Sequence, residues 1–265
     1  MDTAPPGQAL FDVSGKTALV TGGTRGIGLM IARGLLDAGA RVAISSRKED
    51  AVAKAVEELA AHGEVHGIAG DVSTPDGARA LAAATHEHVG GRLDLLVNNA
   101  GVTWGAPLEE FPDAGWDRVM HTNVEGVFHL TVALLPALRA AATAPDPARV
   151  INIGSIDGLR SPTMDNYSYA ASKAAVHTLT RHLAAKLAAE HITVNAIAPG
   201  PFESRMTKFV VEDAALLTAA TAEVPLARFG TAEDATGIVV FLASRAGAYL
   251  TGTVIPLDGG ITGCR

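Results

Sequence analysis

The stretch TALVTGGTRGIG, residues 17–28, decides the fold class of this chain. A run of apolar and β-branched residues ends in a turn that contains Gly22, Gly26 and Gly28, and the segment LMIARGLLDAG at 29–39 has the composition of a helix. Glycines in such a turn let the backbone approach a pyrophosphate, which then meets the free N–H groups of the first helical turn. The spacing is G-x-x-x-G-x-G rather than the commoner G-x-G-x-x-G, and a plain tight turn is the alternative interpretation. The stretch predicts a strand–turn–helix unit suited to a dinucleotide.

The same alternation of short apolar strands and longer alanine-rich helices continues along the chain. It is typical of βαβ units around a parallel sheet. We predict an α/β protein with a doubly wound Rossmann fold, whose seven-stranded parallel sheet carries helices on both faces. The predicted strands are TALVTGG, RVAISSR, VHGIAGD, LDLLVNN, RVINIGS, ITVNAIAPG and TVIPLDGG, and the predicted helices lie at about 26–38, 49–62, 76–89, 115–141, 167–190 and 232–245.

Composition and charge narrow the class of protein. The 265 residues are 48% hydrophobic and no linker or charge block divides them, so we predict one domain at 11–265 after a flexible lead at 1–10. An apolar insertion at about 201–228 is long enough to act as a lid over the substrate. The formal charge of −7 argues against nucleic acid and against docking onto a strongly acidic protein.

The N-terminus has no charged segment followed by an apolar run, as a signal peptide would. Apolar runs such as GIVVFLA are shorter than the roughly 20 residues of a membrane span. The single cysteine, Cys264, cannot form an intrachain disulfide. We therefore expect a cytoplasmic protein with no membrane partner, and no metal site.

The end of the second predicted strand, SSRKED, bears on the choice of cofactor. Enzymes that bind NAD usually place a carboxylate here for the ribose 2′-hydroxyl, whereas NADP enzymes use arginine for the 2′-phosphate. This chain has Ser46 and then Arg47, and Arg25 lies within the glycine turn. Either arginine alone is more simply explained as a solvated loop residue, but the two together favour NADP(H).

Polar and turn residues follow the remaining strands, at the edge where such sheets bind ligands. They are Asp71 and Val72 for the adenine, NNAG at 98–101 with Asn99, Ala100 and Gly101, Ser155, and APGPF with Pro199, Gly200 and Phe202. Asn123, in the predicted helix RVMHTNVEGVFHL, is unusual because asparagine is a poor helix former, and it suggests a kink or a held water.

The segment NYSYAASKAAV, residues 166–176, contains two of the three tyrosines. Residues four apart share a helix face, so Tyr169 can cooperate with Lys173, whereas Tyr167 cannot. A free phenol has a pKa near 10, and a lysine ammonium one turn away is expected to lower it. Taken alone, the Tyr169–Lys173 pair is more simply explained as an ordinary pair on an amphipathic helix.

The order and separation of seven motifs in this chain closely resemble those of the short-chain dehydrogenase/reductase family. The motifs are TGGTRGIG, Asp71, NNAG, Asn123, Ser155, YAASK and PG. The resemblance covers residues 12–260 and implies a nicotinamide-dependent oxidoreductase. It implies that Tyr169 exchanges a proton with the substrate oxygen and that Ser155 hydrogen-bonds that oxygen. It also implies that Lys173 lowers the pKa of Tyr169 and holds the nicotinamide ribose, and that Asn123 holds a water linked to Lys173. The cofactor contacts it implies are Gly22, Thr24, Arg25, Gly26, Ile27, Gly28, Ser46, Arg47, Asp71, Val72, Asn99, Ala100, Gly101, Tyr169, Lys173, Pro199, Gly200 and Phe202.

Within the family, GPFESRM and INIGSIDGLR are similar to 3-oxoacyl reductases. Members that act on acyl carrier protein tend to place arginines near the end of the long catalytic helix and before the fifth strand. Here Glu190 and Asp146 occur in those neighbourhoods, although Arg149 remains nearby, and this disfavours a carrier-linked substrate. We expect NADPH-dependent reduction of a small ketone or 3-oxoacyl compound.

The alternatives are an NAD-dependent secondary-alcohol dehydrogenase and a non-catalytic dinucleotide-binding regulator.

The family usually forms homotetramers through its long helices, and a tetramer or dimer is expected here. The candidate pocket and lid residues are Trp104, Met164, Phe202, Met206 and Phe209, and core or surface packing is an equally good explanation of Trp104, Met164 and Phe202.

Overall fold

The structure is a computed structural model that describes residues 6–203, 207 and 212–264. Seven parallel strands form one sheet in the order β3-β2-β1-β4-β5-β6-β7, which confirms the predicted doubly wound fold. The strands are β1 (Thr17–Thr21), β2 (Arg41–Ser46), β3 (Val65–Ala69), β4 (Leu95–Asn98), β5 (Ala148–Ile153), β6 (Ile192–Pro199) and β7 (Val254–Leu257). The strand order reverses between β1 and β4, and ligands bind at such a reversal.

Helices cover both faces of the sheet. The helices are α1 (Pro6–Leu10), α2 (Gly26–Asp37), α3 (Glu49–Leu59), α4 (Pro75–His88), α5 (Asp113–Met120), α6 (Gly126–Ala141), α7 (Tyr167–Leu187), α8 (Ala214–Ala222) and α9 (Ala232–Ala243). A π-helical turn, His121–Glu125, joins α5 to α6. Each predicted helix is present, with ends that differ by a few residues.

The core consists of two apolar layers, one on each face of the sheet. Val20 of β1 packs with Ile31 of α2 and Val239 of α9 in one layer. Leu19, its neighbour along the strand, packs with Leu134 of α6 in the other. Successive strand residues point to opposite faces, so a strand buried on both sides is apolar throughout.

Two short helices were not predicted. Residues 6–10, expected to be part of a flexible lead, form α1, and the ring of Phe11 lies 6.4 Å from that of Phe241 on α9. Residues 1–5 of that lead lie outside the described residues. The insertion at 201–228 contains α8, which Asp213 caps by accepting hydrogen bonds from the N–H groups of Ala215 and Leu216.

The segment Asp113–Ala141, which spans α5, the π turn and α6, has the length and mean hydropathy (1.3) of a membrane-spanning helix. In the structure, Leu130, Leu134 and Leu138 of this segment pack in the core layer that α6 shares with α4 and α7. A core helix of a globular domain has the same length and composition, so these two properties are explained by its place in the fold.

Candidate active site

The turn between β1 and α2 has the geometry of a phosphate cradle. Gly22 and Gly26 have φ angles of +65° and +53°, which L side chains rarely adopt. A Cβ on Gly28 would lie 2.4 Å from the carbonyl oxygen of Gly22, so no larger residue fits. Arg25, which precedes α2, makes no side-chain hydrogen bond to the first turn of the helix. The exposed N–H groups and the missing side chains fit a dinucleotide pyrophosphate. The turn also contains the predicted contacts Thr24 and Ile27.

Arg25 and Arg47 follow the carboxyl ends of two paired strands. Thr21 of β1 is in register with Ser45 of β2, and the N–H of Gly23 donates to the carbonyl oxygen of Ser45 at 3.2 Å. Both arginines are exposed, and neither forms an ion pair with another residue in the described part of the chain. Ser46 is half-buried beside them. The two guanidinium groups are therefore available to a phosphate at this edge.

The segment after β4 lies against the glycine turn. The hydroxyl oxygen of Thr21 accepts hydrogen bonds from the N–H groups of Asn99 (3.0 Å) and Ala100 (2.9 Å). The Asn99 side chain donates to the carbonyl oxygens of Thr21 (2.8 Å) and Gly22 (3.2 Å). These bonds bring two of the predicted cofactor-binding segments together. Thr21, which holds both, was not predicted as a site residue.

Asp71 and Val72 lie in a turn after β3. An oxygen of the Asp71 carboxylate accepts the N–H of Ser73 at 2.9 Å. Val72 is 8% exposed, and a Cβ on Gly126 of α6 would lie 2.6 Å from its carbonyl oxygen. The two residues thus have clear structural roles, and their contact with adenine stays a prediction.

The predicted kink at Asn123 is present as the π turn between α5 and α6. Its side-chain oxygen accepts the N–H of Val102, and its amide nitrogen donates to the Val102 carbonyl and to the Ser172 hydroxyl, each at 2.9 Å. A Cβ on Gly101 would lie 3.4 Å from that oxygen and 3.7 Å from Lys173 Nζ. Asn123 therefore ties the segment after β4 to α7. Its predicted link through water to Lys173 stays a prediction.

Ser155, Tyr169 and Lys173 come together at the carboxyl end of β5. The Ser155 hydroxyl lies close enough to the Tyr169 phenol to influence its pKa, and Lys173 Nζ lies 5.5 Å from the centre of the tyrosine ring. The Lys173 ammonium is 5% exposed and donates to the carbonyl oxygen of Ile153 at 2.7 Å. The structure thus brings Lys173 together with the two side chains predicted to act on the substrate oxygen, Ser155 and Tyr169.

The ionisation of this group differs from the prediction. Burial raises the pKa of Tyr169 to about 12, against the lowering that Lys173 was expected to cause. The neighbouring Ser155 hydroxyl lowers this pKa and the charge of Asp157 raises it, but burial dominates. Burial also lowers the pKa of Lys173 to about 8. The expected lowering was wrong for this arrangement because the ammonium lies over the ring, is bonded to Ile153, and is itself desolvated.

Tyr167 points away from this group, as predicted. Its hydroxyl donates to the Asp165 carboxylate at 2.8 Å, and its ring meets Phe111 edge-on at a centroid distance of 5.4 Å. The Asp165 hydrogen bond raises the pKa of the phenol. The ring therefore packs against the segment between β4 and α5.

Trp104 and Phe202, the two aromatic candidates for the pocket in the described residues, both pack against neighbouring elements. The ring of Trp104 lies against α5, 2.9 Å from a Cβ built on Gly115, with the Arg118 guanidinium 5.9 Å from its centre. Phe202 is 3% exposed and belongs to the core layer beside α2, where its ring lies 2.3 Å from a Cβ built on Gly230. Both rings complete the packing of the domain, and Phe202 has no exposed ring to offer a lid.

The other predicted residues of this region lie on the surface, outside the described residues or in the turn after β6. Met164 is 61% exposed. Met206 and Phe209 lie outside the described residues. Pro199 ends β6, and Gly200 is required there because a Cβ would lie 2.8 Å from the Cα of Asp258. The turn after β6 is therefore held close to the segment after β7.

A buried polar ladder beneath the site was not predicted. The Asn98 amide donates to Thr131 of α6 (3.1 Å) and to the side-chain oxygen of Asn152 (2.9 Å), and the Asn152 amide donates to Thr180 of α7 (2.9 Å). All four residues are at most 4% exposed. Buried asparagines in apolar strands were the available signal, but which partners they find depends on strand register. The ladder joins α6, β4, β5 and α7 directly under the site.

Comparison with known proteins agrees with this arrangement. Residues 22–262 match the family described as enoyl-(acyl carrier protein) reductase. The chain is 51% identical over 250 residues to the rhamnolipids biosynthesis 3-oxoacyl-(acyl-carrier-protein) reductase of Pseudomonas aeruginosa, a match that covers 94% of this chain and 97% of that protein.

Solved structures with the same fold indicate the same family. The Pseudomonas aeruginosa RhlG/NADP active-site complex superposes with a TM-score of 0.93 at 50% identity, covering 96% of this chain and 99% of the other. A short-chain type dehydrogenase/reductase from Mycobacterium marinum gives 0.87 at 34% identity, covering 97% and 99%. The predicted family is thus confirmed: this chain belongs to the short-chain dehydrogenase/reductases.

Proposed function

We propose that the protein is an NADPH-dependent ketoreductase that reduces a 3-oxoacyl compound, or a ketone of similar polarity, to a secondary alcohol. The observation that carries the proposal is the Tyr169 phenol, which lies near Ser155 and Lys173 at the same edge of the sheet as the glycine turn after β1. The 51% identity to a 3-oxoacyl reductase over nearly the whole chain supports the same reaction class.

The ionisation of Tyr169 suits reduction. At neutral pH the phenol is protonated, as an unperturbed phenol also is, so it can give a proton to a substrate carbonyl oxygen. The Ser155 hydroxyl holds that oxygen in place. NADPH, when bound, supplies the hydride. After proton transfer the Lys173 ammonium lies 5.5 Å from the centre of the ring, and Asn123 keeps the Val102 segment against α7.

NADP(H) is the cofactor that the exposed pair Arg25 and Arg47 fits best, and the superposed Pseudomonas aeruginosa structure is an NADP complex. An NAD-dependent alcohol dehydrogenase is the alternative, and it predicts a preference for NADH. Oxidation of NADPH and NADH, compared side by side, separates the two. A protein that binds NADPH and reduces nothing would instead be a dinucleotide-binding regulator.

The acyl group is proposed to be carried by a small thiol or ester rather than by a carrier protein, although the Pseudomonas relative is named for a carrier protein. Glu190, in the turn that follows α7, forms an ion pair with Arg139. The positive charge of Arg139 is therefore already partly neutralised. Arg149, which the sequence left as a possible contact, is 1% exposed and donates to backbone carbonyls of Leu242 and Ser244. It is therefore unavailable to an acidic partner.

A cytoplasmic homotetramer is also proposed. Exposed apolar side chains occur on α6, at Phe128 (42% exposed) and Val132 (43%), and Tyr249 near the C-terminus is fully exposed at 103%. Aromatic and aliphatic side chains left in water favour a partner surface. Light scattering after size exclusion checks this, and a mass of 27.1 kDa for the eluted species would contradict it.

The test of the function is a substrate panel assayed with both cofactors. It contains 3-oxoacyl esters, 3-oxoacyl-CoA and carrier-linked 3-oxoacyl chains, together with simple, cyclic and vicinal ketones. NADPH-specific turnover that is highest on the 3-oxoacyl esters or CoA thioesters supports the proposal in full. Turnover confined to other ketones would contradict the proposal that the substrate is a 3-oxoacyl compound. A higher kcat/KM on carrier-linked chains would contradict the proposal, based on Glu190 and Arg149, that no carrier protein is involved.

A further inference from the structure

His177 is a buried histidine that the proposed reaction does not use. It lies on α7 four residues after Lys173 and on the same face, and it is 2% exposed. Neither ring nitrogen makes a hydrogen bond of normal geometry to the described residues, although the Gly158 backbone interacts with the ring. A polar ring buried with so few partners costs stability, so packing alone gives no reason for it to be a histidine.

The ring lies against the segment that carries Ser155. We call residues Gly154–Gly158 the Ser155 segment. A Cβ on Gly154 would lie 2.2 Å from His177 Nε2, and a Cβ on Gly158 would lie 2.9 Å from His177 Cε1. The ring therefore excludes a side chain at Gly154, and at Gly158 the ring and the backbone of α7 exclude one together. The two glycines lie on either side of Ser155.

The same segment is held to the sheet and to itself by other bonds. The N–H of Gly154 donates to the carbonyl oxygen of Ile197 at 2.7 Å, and the N–H of Gly158 donates to that of Ser155 at 3.0 Å. A Cβ on Gly158 would also lie 2.7 Å from the backbone nitrogen of Ala174. The segment is thus pressed onto α7, and the imidazole is the side chain of α7 that touches both of its glycines.

We propose that His177 is a positioning residue, whose flat ring sets the distance of the Ser155 segment from α7 and hence the place of the Ser155 hydroxyl beside the Tyr169 phenol. The inference rests on the proposed reductase activity. Truncation of the ring lets the segment settle toward the helix. Ser155 then loses its alignment with Tyr169, while the glycine cradle, which lies across the sheet at β1, keeps its shape.

A double-mutant cycle tests this inference. We compare His177→Ala, Ser155→Ala and the double variant by kcat for NADPH-dependent reduction, with Leu187→Ala as the matched control. Leu187 lies on the same helix and is 6% exposed, but packs in the core layer with α4 and α6. His177→Asn, which refills part of the space, is the conservative variant.

The expected result is a loss of kcat of at least tenfold in His177→Ala, a smaller loss in His177→Asn, and a change within twofold in Leu187→Ala. The Kd for NADPH stays within threefold of wild type in all of them. In the Ser155→Ala background, His177→Ala causes no further loss, because the group that it positions is absent. The inference would be overturned if the losses of kcat in the two single variants multiplied in the double variant. It would also be overturned if Leu187→Ala lost as much kcat as His177→Ala. If His177→Ala does not fold, His177→Asn takes its place in the cycle. A loss of kcat of at least threefold that disappears in the Ser155→Ala background then supports the inference, and a loss that persists there overturns it.

The failure of the proposed function gives a different result. If the wild-type chain reduces none of the substrate panel, crystal structures of wild type and His177→Ala decide the inference without an activity. A displaced Ser155 hydroxyl in the variant supports the positioning role, and an unchanged hydroxyl overturns it.

Discussion

The ammonium group of Lys173 donates a 2.7 Å hydrogen bond to the carbonyl oxygen of Ile153, the last residue of β5. Ile153 precedes Ser155 by two residues, and Lys173 follows Tyr169 by one helical turn. This single bond therefore joins the strand that presents Ser155 to the helix that presents Tyr169. The bond from the Asn152 amide to Thr180 joins the same strand and helix further along α7.

Tyr169→Phe should abolish most of the activity. Removal of the phenolic proton donor is expected to lower kcat by roughly 100- to 10,000-fold, the usual range for general acid–base catalysis. NADPH binding, measured by fluorescence titration, should change little. Tyr167→Phe is the matched control, because that phenol bonds to Asp165 outside the site, and its kcat should stay within twofold of wild type. Full turnover by Tyr169→Phe would show that another group protonates the substrate.

Arg25→Ala and Arg47→Ala should weaken NADPH binding and leave NADH binding nearly unchanged. A charge-assisted contact to phosphate contributes about 1.5–3 kcal/mol, so each variant is expected to raise the Kd for NADPH by roughly ten- to a hundredfold. The measurement is a titration of each variant with both cofactors. Arg41→Ala, an exposed residue at the opposite end of β2, is the control. Equal weakening for NADH would mean that the arginines do not read the 2′-phosphate.

Gly28→Ala should prevent cofactor binding. The added Cβ would lie 2.4 Å from the Gly22 carbonyl oxygen, a backbone atom that moves only if the cradle deforms. Gly237→Ala is the control, because the same methyl group on α9 meets nothing within 4 Å. That substitution should raise the free energy of unfolding by about 0.5–1 kcal/mol, since alanine is the better helix former. NADPH titration and chemical denaturation of the two variants check both expectations.

Asn152→Ala should destabilise the domain strongly. It leaves the Asn98 amide and the Thr180 hydroxyl short of a partner in the interior, at a cost of about 1–3 kcal/mol for each group. The expected loss in the free energy of unfolding is therefore about 2–5 kcal/mol, measured by urea denaturation. Thr143→Ala, whose hydroxyl bonds at an exposed position, should cost much less. A loss below 1 kcal/mol for Asn152→Ala would show that the ladder is not needed.

Stability should fall on mild acidification because of His177. Burial lowers the pKa of this imidazole to about 4, and the charges of Lys173 and Arg181 act in the same direction. Between the ordinary value near 6.5 and about 4, the unfolded chain binds a proton that the folded chain does not, so stability is lost as the pH falls through this window. From pH 7 to pH 5 the expected contribution is about 2 kcal/mol.

Urea denaturation of wild type and His177→Asn at both pH values isolates this contribution. The variant lacks the imidazole, so its stability should fall less between pH 7 and pH 5. If the free energy of unfolding fell equally between pH 7 and pH 5 in the two proteins, the His177 ring would be protonated without penalty in the folded state.

Much of the site could be predicted because its parts are local. The TGGTRGIG turn carries its own glycines, and the spacing of Tyr169 and Lys173 places them on one helix face whatever surrounds the helix. The predictions that failed concern what surrounds a side chain. The pKa of Tyr169 rises because the phenol is buried. For Phe202, core packing and a place in the lid were both open, and the structure places the ring in the core, where Gly230 leaves room for it.

Sequence by itself determined the alternation of strands and helices, the family, and which helix face carries Tyr169 and Lys173, because these follow from short-range periodicity and from motif order. Only the tertiary structure decided that Lys173 bonds to Ile153, that the Asn98–Asn152 ladder crosses the sheet, and that His177 lies under the Ser155 segment. These contacts join residues from different elements. Their existence depends on strand register and on close packing of small residues, which the linear sequence does not encode locally.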